Sequence, residues 1–178
     1  MELYQIKRRL NTAIDILRMN DNYLLINNVN ERSITHKLAT YMEQTFGKTH
    51  DVDCEYNRNV GDLKMIHMLK SRWDNINNHT MPNEDREFSE ILVERTVLPD
   101  IIVHKRGNPN KNLLVIEVKK STSAISEDYD IEKLKCYTSP NSDLNYQYGA
   151  FIKFYTSKEK YQSPDIRYFR EGKEIHEV

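Results

Sequence analysis

Apolar residues recur at intervals of three and four from the start of the chain, at Leu3, Ile6, Leu10, Ala13, Ile14 and Leu17. That spacing puts them on one face of a helix and predicts helix over Leu3–Met19, ended by Asp21-Asn22. A second stripe, Ile34, Leu38, Tyr41, Met42 and Thr45, predicts a helix from about Asn30 to Phe46. Asn30 is placed to cap it and Gly47 to stop it. The period then changes. Val52 to Tyr56 alternates and reads as a short strand. Leu63, Ile66 and Leu69 return to intervals of three and predict a helix over Leu63–Trp73, followed by a polar, turn-rich loop over Asn75–Asn83.

In the second half, Val93–His104 reads as a strand interrupted by Pro99. Arg106 to Asn112 is dense in turn formers. Leu113–Lys119 is apolar on both faces as far as Glu117, the pattern of a central strand covered on both sides. The two strands are expected to form a hairpin. Ser126–Tyr137 is helical, with Tyr129, Ile131, Leu134 and Tyr137 inward. Tyr148–Tyr155 reads as a strand, and Ile166–Phe169 and Lys173–His176 pair around Glu171-Gly172. This order predicts an α/β fold with a mixed central sheet flanked by helices. It is read as one domain over 1–178, with N-terminal helices in 1–50, a sheet core in 51–178 and the hairpin at 95–120.

The 178 residues suffice for a core without staples. Apolar runs such as Leu113–Ile116 are far too short to span a bilayer, and the N-terminus carries no secretory pattern. A non-membrane, cytoplasmic protein is expected. Cys54 and Cys136 are far apart and are expected as free thiols, not as a metal pair. The net charge of -1 lacks the basic excess of a dedicated nucleic-acid binder. An acidic metal site would, however, cancel basic residues elsewhere.

The chemistry concentrates in Leu98-Pro99-Asp100-Ile101-Ile102-Val103, the turn, and Leu113 to Lys119. Strand alternation sets Glu117 and Lys119 on one face and turns Val118 into the core. The hairpin brings Asp100 beside Glu117. Two converging carboxylates are costly without a cation, and a hard ion such as Mg²⁺ suits them. Lys119 would offset charge on a phosphate. Two other matches are decoys. Pro164-Asp165 and Glu171-Gly172-Lys173 are too close for two paired strands, and Asp62-Leu63-Lys64 lies in the predicted helix.

Pro99-Asp100 followed after one hairpin by Glu117-Val118-Lys119 resembles the PD-(D/E)XK nuclease superfamily. The resemblance implies a restriction endonuclease-like core and metal-dependent hydrolysis of phosphodiester bonds, those of DNA above all. It implies Mg²⁺, with Mn²⁺ as a substitute, held by Asp100, Glu117 and the carbonyl of Val118. Lys119 would activate or orient the attacking water. The superfamily often adds a glutamate from a preceding helix: Glu31 is the choice and Glu55 the rival. Similar enzymes that cut both strands often work as homodimers. The competing reading is a catalytically inactive nucleic-acid-binding or assembly module with the same fold. Lys133 and Tyr137 read either as a phosphate contact or as a solvated lysine beside a partly buried tyrosine. Lys105, Arg106, Lys111 and Lys120 read either as electrostatic contacts or as solvated charge. Trp73 is expected to pack, and His36 to be surface.

Overall fold

The structure is a computed structural model that describes residues 1–59, 62–76, 92–157 and 159–176. Helix α1 covers Leu3–Ile26 and buries Ile6, Leu10, Ala13, Ile14, Leu17 and Leu25. It does not stop at Asp21-Asn22. Asp21 is a kink (φ -127°, ψ 28°), and its carboxylate accepts a hydrogen bond from the Tyr41 hydroxyl, so the helix continues until Leu25 is buried. Helix α2 covers Glu31–Phe46, and the Asn30 side chain accepts the Arg32 N–H at its start (2.9 Å).

The strands are β1 (Asp51–Cys54), β2 (Arg58–Asn59), β3 (Asp62–Leu63), β4 (Met65–Leu69), β5 (Leu92–Thr96), β6 (Ile101–His104), β7 (Leu114–Lys120), β8 (Tyr148–Phe154), β9 (Asp165–Arg170) and β10 (Lys173–Ile175). Helix α3 (Lys70–Ile76) follows β4, and α4 (Asp128–Thr138) lies between β7 and β8. Six strands form one mixed sheet in the order β1-β6-β7-β8-β9-β10. Only β7 and β8 pair in parallel there, with α4 as the crossover, so the expected mixed α/β sheet is present with four helices among the described residues. None of the described helices is long and apolar enough to cross a membrane.

The helix predicted over Leu63–Trp73 is replaced by strand. Residues 62–69 form β3 and β4, and helix begins only at Lys70. Intervals of three made Leu63 an inward residue, yet it is exposed, while Lys64, Ile66 and Met68 are buried at the period of a strand. Lys64 donates to the Arg58 carbonyl and sits over the Tyr56 ring (4.6 Å), which accounts for a buried lysine. The stretch Val93–His104 is likewise two strands in two sheets. β5 pairs with β4, while β6 joins the main sheet after the break at Pro99. The loop predicted over Asn75–Asn83 begins inside α3, and its remainder lies outside the described residues.

The hairpin β6–β7 pairs Ile101 with Ile116, Ile102 with Val115 and Val103 with Leu114, and a 3₁₀ turn at Pro109–Lys111 lies in its connection. Alternation divides β7 between the sheet's two faces. Leu114, Ile116 and Val118 join the core under α1 and α2, and Val115 joins the second core with Ile131, Leu134 and Tyr137 of α4. Glu117 and Lys119 therefore point to the α4 side.

Candidate active site

Strand β6 ends at Ile101, opposite Ile116, while β7 runs on to Lys120. The last N–H groups on that side of β7 thus have no strand to pair with, and buried backbone donors need partners. Two carboxylates serve instead. Val118 N–H donates to Asp100 Oδ2 (2.7 Å), and Lys120 N–H donates to Glu31 Oε2 (2.7 Å). A strand residue directs its N–H and C=O to the same neighbour. The Val118 carbonyl therefore opens on this edge, between the two N–H groups that the acids hold. Extended by one step, the hairpin register sets Asp100 opposite Glu117. Residues 100, 117 and 119 are brought together at one end of β7.

The rival glutamate falls elsewhere. Glu55 forms an ion pair with Arg32 (3.0 Å) at an exposed position, although its N–H donates to the Asp100 carbonyl. Glu31 reaches the motif because it opens α2, whose N-terminus lies against the end of β7.

On the α4 face the acids and amines form a chain. Glu117 is 1% exposed, and its Oε2 meets the Lys133 ammonium at 2.7 Å. Lys133 also meets Asp130 Oδ1 (2.9 Å), and Asp130 Oδ2 meets the Lys119 ammonium (2.5 Å). Lys133 is therefore neither solvated nor poised on a phosphate, as its sequence context suggested; it is buried against Glu117. Tyr137, expected to be partly buried, is fully so. Its hydroxyl and Glu117 Oε1 are buried neighbours. Asp130 is a residue that the sequence reading missed. The signal was there: Asp130, Lys133, Leu134 and Tyr137 fall on one helical stripe, so two charged residues occupy inward positions.

Burial pushes the Glu117 carboxyl up to about 8; the Asp100 and Asp130 carboxylates add to this, and Lys133 opposes it. Burial also lifts Asp100 to about 6, against the Val118 hydrogen bond and Lys133. Burial disfavours the Lys133 ammonium, but Glu117 and Asp130 outweigh it and hold its pKa above the usual lysine value.

Both raised acids bind protons more tightly folded than unfolded. In the metal-free protein their contribution to stability is present at low pH and is lost as pH rises toward about 8. Glu117→Gln is expected to flatten much of that decline between about pH 5 and about pH 8. Denaturant unfolding of both proteins in EDTA across the interval measures the difference. Parallel curves would remove Glu117 as its source.

The remaining residues singled out in the sequence have partners of their own. Arg106 binds Asp53 (Nε–Oδ2 2.9 Å), and the Lys120 ammonium donates to the Val29 carbonyl (2.8 Å). Trp73 packs edge-on against Tyr129 (5.7 Å) under Arg95 (4.3 Å). Cys54 and Cys136 are free thiols. Glu171-Gly172 is a turn with both φ values positive (53° and 73°), which disposes of the first decoy. Among the described residues no three acid, histidine or cysteine side chains form a group ready to hold a metal ion; the carboxylates are held by N–H and ammonium groups. Comparison of the chain with family models, with curated proteins and with solved structures finds no match.

Proposed function

We propose that this chain is a metal-dependent nuclease with a restriction endonuclease-like core, hydrolysing phosphodiester bonds of nucleic acid, DNA first among them. The observation that carries this reading is the end of β7. Asp100 and Glu117 face each other across the hairpin beside Lys119, and burial makes both acids resist ionisation. Glu31, Asp100, Glu117 and Asp130 set four acids against the two ammonium groups of Lys119 and Lys133, and a divalent cation would let the two raised acids, Asp100 and Glu117, ionise together.

Oxygen donors suit Mg²⁺ or Mn²⁺. Asp100, Glu117 and the Val118 carbonyl would hold the ion, with Glu31 on the same edge. When bound, it supplies Lewis-acid polarisation of a phosphoryl oxygen. The chain's own groups do the rest. Lys119, fixed by Asp130, offsets the negative charge that builds on the phosphate. Val118 anchors the strand in the apolar core, so the Glu117 and Lys119 backbone is held rigidly under the reacting group.

The test is incubation of the purified protein with duplex DNA, single-stranded DNA and RNA in Mg²⁺ and in Mn²⁺. Cleavage of one of them is expected, and none cut in either metal sinks the reading. Calorimetric titration adds a readout free of substrate: Mn²⁺ binds the wild type and loses its site in Asp100→Asn.

One observation favours a second reading. Lys133 already occupies Glu117 Oε2, so the cluster is partly neutralised from within. A non-catalytic nucleic-acid-binding or assembly module would use such a cluster as a core ion pair only. That reading requires a wild-type titration with no Mn²⁺ site.

A further inference from the structure

Beyond Lys119 the sheet opens into a cleft of about 320 Å³ at the ends of β7 and β8. Its walls are Lys119, Lys120, the loop from Ser121 to Ser126, Glu127 and Lys153. We propose that this cleft seats a backbone phosphate of nucleic acid next to the phosphate at Lys119, with the adjoining sugar or base against Ile125. This rests on the nuclease reading above.

Three features point to that ligand. The first is register. Lys119 and Lys153 are directly paired across the parallel strands β7 and β8, on the same face, so a second lysine stands beside the one at the site, with Asp130 holding the first ammonium and Glu127 the second. A strand whose scissile phosphate lies at Lys119 meets Lys153 next.

The second is charge. Three lysines and one carboxylate line the cleft; Asp130 holds the Lys119 ammonium, and Asn28 and Val29 hold that of Lys120, so the charge there centres on Lys153 and the carboxylate. That carboxylate, Glu127, is held by Lys153 (2.9 Å) and by Arg167 of β9 (3.3 Å). Glu127 thus fills, in the free protein, the position an anionic oxygen would take between two cations. The groups involved are about a third exposed (34% for Lys153, 32% for Glu127 and 36% for Arg167), so the exchange is weakly opposed.

The third is amphipathicity. Ser121, Ser123 and Ser126 line the polar wall, while Ile125 stands 74% exposed on the same loop. An anionic group beside an apolar surface matches a nucleotide better than a free inorganic anion. The cleft is at the small end of the range of ligand sites, roughly 300 to 1,000 Å³, which suits one nucleotide unit.

Fluorescence anisotropy with labelled single-stranded DNA, duplex DNA and single-stranded RNA, in EDTA over a salt series, tests this. Lys153→Ala is expected to weaken binding of the preferred strand about three- to tenfold and to make the salt slope shallower by about one. Glu127→Gln, which frees Lys153 while Glu174 still holds Arg167 (2.6 Å), is expected to tighten it. Both variants keep the wild-type unfolding midpoint, and inorganic phosphate does not displace the strand. Wild-type affinity and slope in Lys153→Ala overturn the proposal, as does displacement by phosphate at comparable concentration. Loss of the cleft with Mg²⁺-dependent cleavage intact leaves the nuclease reading standing alone. A wild type that binds none of the three nucleic acids removes both.

Discussion

On the nuclease reading proposed above, Lys119→Ala is expected to reduce Mg²⁺-dependent cleavage by about 10²- to 10³-fold while leaving the divalent ion bound. The reason is division of labour at the end of β7. Asp100 and Glu117 supply oxygen donors, whereas Lys119 supplies only an ammonium, held at 2.5 Å by Asp130 Oδ2. Removing that ammonium takes away charge that matters when the phosphate becomes more negative, but it takes nothing from the metal's ligands. Asp130 retains Lys133 as a partner at 2.9 Å, so the cluster is not left with an orphaned acid. Cleavage rate and calorimetric Mn²⁺ affinity, measured on the same preparation, separate the roles. Lys119→Ala should lose the first and keep the second; Asp100→Asn should lose both. If Lys119→Ala lost ion binding as well, Lys119 would be a structural partner of the site and not a group that acts on the phosphate.

This distinction was legible in the sequence only as far as strand geometry reaches. Period-two alternation set Glu117 and Lys119 on one face, and the hairpin brought Asp100 opposite Glu117, because both depend on local rules that tertiary context does not override. The choice between Glu31 and Glu55 was open in the sequence. Which of them reaches β7 depends on an event no local pattern records: β6 stops two residues short of Val118, and the N–H groups of β7 left without a strand draw in whichever acids the flanking elements bring near.

The failures have physical causes too. Leu63, Ile66 and Leu69 satisfy a helical interval, but the pairing of Met65–Leu69 with Leu92–Thr96 outweighs it, and that partner is more than twenty residues away. Asp21-Asn22 carried a stop signal that became a kink, because the Asp21 carboxylate found the Tyr41 hydroxyl of α2. Lys133 was read from the usual fate of lysines, which is solvent. Its position on the same stripe as Leu134 and Tyr137 already argued that it turns inward, where only an acid could hold it.

That inward lysine makes the strongest stability prediction. Lys133→Met keeps the apolar volume of the side chain but strips Glu117 of its one ion-pair partner among the described residues. Breaking a buried pair costs about 3–5 kcal/mol. The lower end, about 3 kcal/mol near pH 8, is expected here, because Glu117 can escape by taking up a proton in place of the ammonium. The loss should shrink as pH falls, since protons become cheaper to recruit. Glu117→Gln/Lys133→Met, which removes both charges, is expected to recover most of what the single lysine variant loses. Denaturant unfolding of the wild type, both single variants and the double variant, in EDTA near pH 8, closes the cycle. Losses that simply add would show that Lys133 contributes by packing and not by its charge. Mg²⁺ added to the Lys133→Met protein should restore part of its stability by binding the folded state alone. The same carboxylate that needs an ammonium in the metal-free protein would then have its cation.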